Sequence, residues 1–289
     1  MILSVTAPAK INLGLEIGKK RADGYHNVEM IMQSVSLYDE IDLLVDNSGC
    51  ITVNSDIHLN CSLESNIAFR AAKEFLNYVK MPDTGVRIKI KKNIPMCAGM
   101  AGGSTDGAAV IWGLNKILGL KLANENLCEI GKKIGSDVPF CIVGGTAYAS
   151  GRGTKLEKLN SLSKCHIMIV KPDLSISTAK AYEDFDNLKI HCVHDLSLLK
   201  SAINSGDLSK VCERLYNRFE EVINEHEIFE IKKRMKNYGA EGSLMTGTGS
   251  AVYGIFQDEI CAKKCFDSMK KLYPNSYLTQ PIDRGVAIM

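Results

Sequence analysis

The feature that most constrains the fold is a run of small residues, Pro95-Met96-Cys97-Ala98-Gly99-Met100-Ala101-Gly102-Gly103-Ser104-Thr105, set between two segments of different periodicity. Upstream, Val86, Ile88 and Ile90 alternate with polar residues as in a half-buried strand. Downstream, Ala108, Ile111, Trp112, Leu114 and Leu118 share one broad helical face, which makes Trp112 core rather than ligand. A chain that passes from strand to helix through such a run lets backbone amides approach an anion, and the helix dipole favours negative charge at that end. The run therefore predicts a phosphate cradle. Ser104 and Thr105 supply hydroxyls there to phosphate or its magnesium ion, or serve as helix caps. Neither G-x-x-x-x-G-K-[ST] nor a G-x-G-x-x-G opening a helix occurs, so the P-loop and Rossmann readings fail.

The rest of the chain alternates between strand and helix patterns. In Ile11-Asn12-Leu13-Gly14-Leu15-Glu16-Ile17 the apolar residues hold the odd positions, which predicts a half-buried strand with Lys10 and Asn12 on its polar face. Ala22-Asp23-Gly24 supplies a turn just before Tyr25 and His26, and Val28 to Leu37 resumes strand composition. Residues 41 to 58 add two β-rich runs. Ser65-Asn66 opens a helix through Ala68, Ala71, Ala72 and Phe75; another runs from about Glu125 to Gly135, followed by a tight loop containing Pro139. From Ile167 the pattern reads strand, a largely helical middle from about Leu196 to Tyr238, then strand, helix and strand. The order predicts an α+β protein of two domains, 1–160 and 161–289, since 289 residues exceed one comfortable core.

Several classes are excluded. A net charge of +2 is too small for a nucleic-acid stripe, and Lys89-Ile90-Lys91-Lys92 reads as the solvated face of a strand. No segment reaches the roughly 20 consecutive apolar residues of a membrane span. The start lacks the features of a signal or transit peptide, so a cytoplasmic protein is expected. Ten cysteines without a Cys-x-x-Cys pair read as mostly buried, reduced thiols. His191-Cys192-Val193-His194 lacks a second ligand pair and reads as a solvated loop or strand end rather than a zinc site.

Two further segments carry possible chemistry. In Gly135-Ser136-Asp137-Val138-Pro139-Phe140 a carboxylate is held between glycine and proline, which suits either a general base or a helix N-cap. Gly242-Ser243-Leu244-Met245-Thr246-Gly247-Thr248-Gly249-Ser250-Ala251 is small and polar ahead of a hydrophobic strand and, alone, reads as a tight turn.

Together, and in this order, these segments resemble the signatures of the GHMP kinase superfamily over most of the chain. Pro8-Ala9-Lys10-Ile11-Asn12-Leu13-Gly14-Leu15 followed by Arg21-Ala22-Asp23-Gly24-Tyr25-His26 is similar to the branch that phosphorylates a methylerythritol bearing a diphosphocytidyl group, in the non-mevalonate route to isoprenoid precursors. The resemblance implies an N-terminal domain like ribosomal protein S5 domain 2, a ferredoxin-like C-terminal domain and a cleft between them. It implies transfer from ATP to the 2-hydroxyl, with Mg2+ arriving on ATP, Asp137 as general base and Lys10 as its electrostatic partner. Pro95, Gly99, Met100, Ala101, Gly102, Gly103, Ser104 and Thr105 would grip ATP, Ser104 also touching the metal, and Asn66 and Lys92 would lie at the nucleoside end. Asn12, Tyr25, His26, Thr178 and Tyr182 would hold the acceptor, with the two tyrosines sandwiching cytosine and His26 reading its edge. Two departures stand out: Met100-Ala101 where Leu-Gly is commonest, and Thr105-Asp106 for Ser-Asn.

The plain alternatives are that Tyr25 and Tyr182 are core aromatics, His26 a surface histidine and Lys10 a solvated strand lysine. A kinase for homoserine, mevalonate or a sugar would have no nucleobase for the Asp-Gly-Tyr-His turn to read. A non-catalytic sensor would have no need of both Lys10 and Asp137. The expected partner is a small molecule, and the expected state a monomer or weak homodimer.

Overall fold

The computed structural model describes residues 2–59, 61–188 and 193–289. Strands β1 (Ile2–Lys20) and β2 (His26–Asp46) form a long antiparallel hairpin, paired with interruptions from Ile2 opposite Leu44 to Lys20 opposite His26. Its turn is closed by the Tyr25 N–H donating to Asp23 Oδ1 at 3.2 Å, with Gly24 taking φ 82°. There follow β3 (Ile51–Ser55), α1 (Ile67–Tyr78), β4 (Gly85–Lys91), α2 (Gly102–Ile117), α3 (Asn124–Lys132), α4 (Val138–Val143), β5 (Thr146–Ser150) and β6 (Lys155–Lys158). The remainder comprises β7 (His166–Val170), α5 (Thr178–Asp186), α6 (Ser197–Ser205), α7 (Leu208–Glu213), β8 (Tyr216–Asn217), a 3-10 turn (Arg218–Glu221), α8 (His226–Asn237), β9 (Gly242–Met245), β10 (Val252–Phe256), α9 (Glu259–Leu272), β11 (Ser276–Thr279) and β12 (Ala287–Ile288).

The larger sheet runs β12-β1-β2-β4-β3, with β5 and β6 joined through β2, and β8 on β1. Helix α2 lies close against it, because a Cβ at Gly113 would meet Leu43 Cδ1 at 2.3 Å. The smaller sheet has the order β11-β7-β10-β9 with all pairs antiparallel, which is the strand order of a ferredoxin-like βαββαβ unit.

Strand β1 is not half-buried; residues 8–16 are buried on both faces. Register shifts between Pro8 and Lys10 and between Asn12 and Gly14 turn the strand over twice. Val5, Ala7, Leu15 and Ile17 therefore join one core cluster, while Ala9, Ile11 and Leu13 join the other. Four other expectations need correction. The helical middle is broken by β8 and the 3-10 turn, where the Asn217 side chain donates to Met245 O and Gly247 O, tertiary bonds that leave no periodic mark. Helix α5 lies outside the expected elements; of its residues only Ala181 and Phe185 are buried. Gly242–Met245 is a strand rather than part of a turn, and Pro139 lies in the first turn of α4, where its missing N–H costs nothing.

Candidate active site

Lys10, Asp137 and, from the glycine-rich run, Cys97, Gly99 and Ala101 line a cleft of about 1020 Å³ that also reaches Tyr25, His26 and Tyr182. Lys10 is 4% exposed, so it is no solvated strand lysine. Its ammonium donates to Asn12 Oδ1 at 2.7 Å and to the Gly99 carbonyl at 3.0 Å, and lies 3.6 Å from Asp137 Oδ2. Asp137 precedes α4, yet its side chain accepts from none of the helix amides and its backbone is itself helical (φ −84°, ψ −14°). The capping alternative is therefore not realised, and the carboxylate is left facing Lys10.

Thr246 ties three of the segments together. Its hydroxyl accepts the Asn12 N–H at 3.0 Å and lies 3.3 Å from Asn12 Oδ1 and 3.4 Å from the Gly99 carbonyl. The Tyr253 hydroxyl donates to the Asn12 carbonyl at 2.9 Å. Asn12 Nδ2 is buried with no hydrogen-bond partner among the described residues, a donor that a bound oxygen would satisfy.

Within the run, Cys97, Gly99 and Ala101 take φ of 52°, 71° and 59°. A Cβ at Gly99 would lie 2.1 Å from the Thr246 carbonyl oxygen, so only glycine fits there. Ala101 precedes α2 and offers no side-chain cap, which leaves the first-turn amides of Gly102, Gly103 and Ser104 free for an anion. The donor set fits the phosphates of a nucleotide. Ser104 is half-buried and faces Gly135, Thr105 is buried, and Met100 is buried, contributing only its carbonyl, which accepts the Lys10 N–H at 3.2 Å. The expectation of mostly buried cysteines is not met: of the nine described cysteines, all free, four are buried, and Cys97 is exposed. His191 and Cys192 of the metal-like cluster lie outside the described residues.

Of the expected site residues, Asn12, Asn66, Lys92, Pro95, Met100, Gly102, Gly103, Ser104 and Thr105 are not among those that line the cleft. Asn66 caps α1, its Oδ1 accepting from Ala68 N at 2.8 Å and Phe69 N at 3.3 Å. Lys89 and Lys91 are solvated as anticipated, but Lys92, beyond the last strand residue, is buried between Asp39 and Asp106. Asp39 also accepts the amides of Asn93 at 2.6 Å and Ile94 at 2.8 Å, so this cluster anchors the start of the cradle to β2 and its helix. Burial pushes the Asp106 carboxyl up to about 8, against the pull of Lys92. An acid whose folded pKa is raised binds a proton in the folded chain that the unfolded chain has lost, so stability falls as pH rises between the two values. Asp106→Asn should flatten the decline in urea midpoint between about pH 4 and 8 that the wild type shows; parallel curves would contradict this.

At the other end of the cleft Tyr25 is 53% exposed, with the Arg152 guanidinium 3.8 Å from its ring centroid. His26 is buried and stacks on Tyr182 at 5.0 Å and 19°, with Nε2 2.7 Å from Asp186 Oδ1. Tyr182 meets Phe219 edge-on at 5.0 Å, and burial holds its phenol protonated, pushed up to about 12. Thr178 Oγ1 lies 3.0 Å from Thr248 Oγ1. Tyr25 is thus no core aromatic and His26 no surface histidine. Arg152, Asp186 and Phe219 are not among the expected site residues, and only Arg152 has a local signal, a charged residue in the glycine turn Gly151-Arg152-Gly153; Thr246 lies within the small, polar segment 242–251 but is not singled out in it.

Residues 66–145 match the family model described as GHMP kinases N terminal domain, and residues 188–275 that described as GHMP kinases C terminal. The protein named 4-diphosphocytidyl-2-C-methyl-D-erythritol kinase from Clostridium acetobutylicum is 40% identical over 282 residues, spanning 97% of this chain and 100% of that protein. The chain belongs to the 4-diphosphocytidyl-2-C-methyl-D-erythritol kinase branch of the GHMP kinases. It is an ATP-dependent small-molecule kinase. A crystal structure of 4-(cytidine 5'-diphospho)-2C-methyl-D-erythritol kinase superposes with TM-score 0.79 at 27% identity, covering 96% of this chain and 99% of that one. A homoserine kinase from Cytophaga hutchinsonii gives TM-score 0.78 at 18% identity, covering 100% and 97% respectively, a likeness of fold alone.

Proposed function

We propose that this kinase transfers the γ-phosphoryl group of ATP to the 2-hydroxyl of 4-diphosphocytidyl-2-C-methyl-D-erythritol, a step in the non-mevalonate supply of isoprenoid precursors. The observation that carries the reading is one continuous cleft: the Lys10–Asp137 pair lies at one end, and the aromatic and polar side chains suited to a nucleobase lie at the other.

Asp137 accepts the proton of the attacking hydroxyl, and Lys10 stabilises charge on the reacting oxygens while holding the carboxylate in place. The uncapped amides at the start of α2 bind the ATP phosphates, and Asn12 Nδ2 donates to an oxygen of the reacting centre. Magnesium, when bound, neutralises phosphate charge; Ser104 offers it a hydroxyl. Tyr25 stacks the cytosine, with Tyr182 and His26 on the opposite wall and Thr178 beside them.

Tyr25→Ala should raise KM for the diphosphocytidyl substrate about tenfold or more, in line with roughly 1–3 kcal/mol for stacking one base, with KM for ATP little changed. An unchanged acceptor KM would place the base elsewhere.

A further inference from the structure

We infer that Asp186 is a specificity-determining positioning residue: by accepting the Nε2–H of His26 it leaves Nδ1 as a lone-pair acceptor toward the cleft, which selects a base carrying an exocyclic amino group over one carrying a carbonyl. The inference rests on the cytidine reading of this end of the cleft.

Both Asp186 oxygens are committed: Oδ1 lies 2.7 Å from His26 Nε2 and Oδ2 2.6 Å from Lys20 Nζ. The hydrogen bonds from Lys20 and His26 hold the Asp186 carboxyl below the ordinary carboxylate range, so it is ionised at neutral pH. An ionised carboxylate has only lone pairs to offer, so the proton in this contact belongs to the imidazole. In the neutral imidazole Nδ1 is then bare. No described residue pairs with Nδ1, and His26 lines the cleft. The ring is also held in orientation, stacked on Tyr182 at 5.0 Å and met edge-on by Phe185 at 5.8 Å and 86°.

Cytosine and uracil differ where this acceptor would meet them. The amino group of cytosine donates to a bare ring nitrogen, whereas the carbonyl of uracil sets lone pair against lone pair. Without Asp186 the imidazole shifts its proton between nitrogens, and the Nδ1–H form would serve uracil as well. Asp186 lies 160 residues from His26 in sequence, at the end of α5, so the pair arises only on folding.

The test is competition by CDP and UDP against the diphosphocytidyl substrate at about pH 8, above the ordinary histidine range. The wild type should prefer CDP by about tenfold or more, and Asp186→Asn should shrink this to within about twofold while kcat and the KM for ATP stay nearly constant. Lys20→Met removes the other bond to the same carboxylate and should retain the preference; a mere brace between α5 and the hairpin would lose as much from either change. Nitrogen-15 NMR of histidine-labelled protein should show His26 protonated at Nε2 in the wild type and in Lys20→Met, and a tautomer mixture in Asp186→Asn. Retention of the full preference by Asp186→Asn, or equal loss in both variants, overturns the inference while leaving the cytidine reading intact. A wild type indifferent to the two nucleotides overturns both.

Discussion

Asp137→Ala lowers turnover by about 100-fold or more, the usual scale for losing a positioned base, and leaves ATP affinity nearly unchanged. The effect falls on chemistry rather than folding, because the Asp137 side chain caps no amide of α4 and is 27% exposed. Asp137→Asn, which keeps the shape and removes the basicity, should lose nearly as much. Lys10→Ala acts at the same step, so the double variant should be little worse than either single one. Lys10→Ala also strips a donor from buried Asn12 Oδ1 and from the Gly99 carbonyl, which adds a stability loss of about 1–3 kcal/mol that Asp137→Ala lacks. Single-turnover transfer from labelled ATP separates the two contributions. Losses that multiply in the double variant would show that the residues work independently.

Gly99→Ala should be the most damaging single methyl group in the cradle. The residue sits at φ 71°, and its Cβ would lie 2.1 Å from the Thr246 carbonyl oxygen and 3.0 Å from the carbonyl carbon, so backbone rather than a mobile side chain must give way. We expect a loss of about 3 kcal/mol in stability together with a rise of about tenfold or more in KM for ATP. Gly102→Val and Gly103→Val should weaken ATP binding more than stability, since there a Cβ meets only side-chain atoms, Ile94 at 3.3 Å and Lys92 Nζ at 3.4 Å for Gly102 and Ile67 at 3.3 Å for Gly103, and neither backbone is left-handed. Gly24→Ala is the control: φ is 82° but nothing lies within 4 Å of the new carbon, so it should cost only about 1 kcal/mol. Denaturant midpoints for the four variants test this ranking, and a mild Gly99→Ala would remove the close approach of cradle and Thr246 from the account.

Much of this architecture is legible from local pattern. The helix behind the cradle, the turn before Tyr25 and the cap at Asn66 all follow from spacing and turn chemistry over a few residues. The pairing of Lys10 with Asn12 follows from strand parity, but their burial does not, because two register shifts in β1 place them beneath the chain that carries Thr246. Lys92 misleads for a related reason. It continues a run of solvated lysines, and only folding brings Asp39 and Asp106 to it from β2 and α2. Asp186 is invisible for the same cause, and Thr246 cannot be picked out of its small, polar segment: each acts through a partner more than a hundred residues away.

The acceptor hydroxyl is expected to belong to a molecule held by its cytidine end. This is tested most directly by following phosphate from labelled ATP into product and locating it by phosphorus NMR, using the diphosphocytidyl substrate and unsubstituted methylerythritol side by side. The expected product is a monoester on the 2-hydroxyl of the diphosphocytidyl compound, with one ADP formed for each and a kcat/KM for plain methylerythritol lower by about 100-fold or more. Equal phosphorylation of the two acceptors, or phosphate on a different hydroxyl, would contradict this.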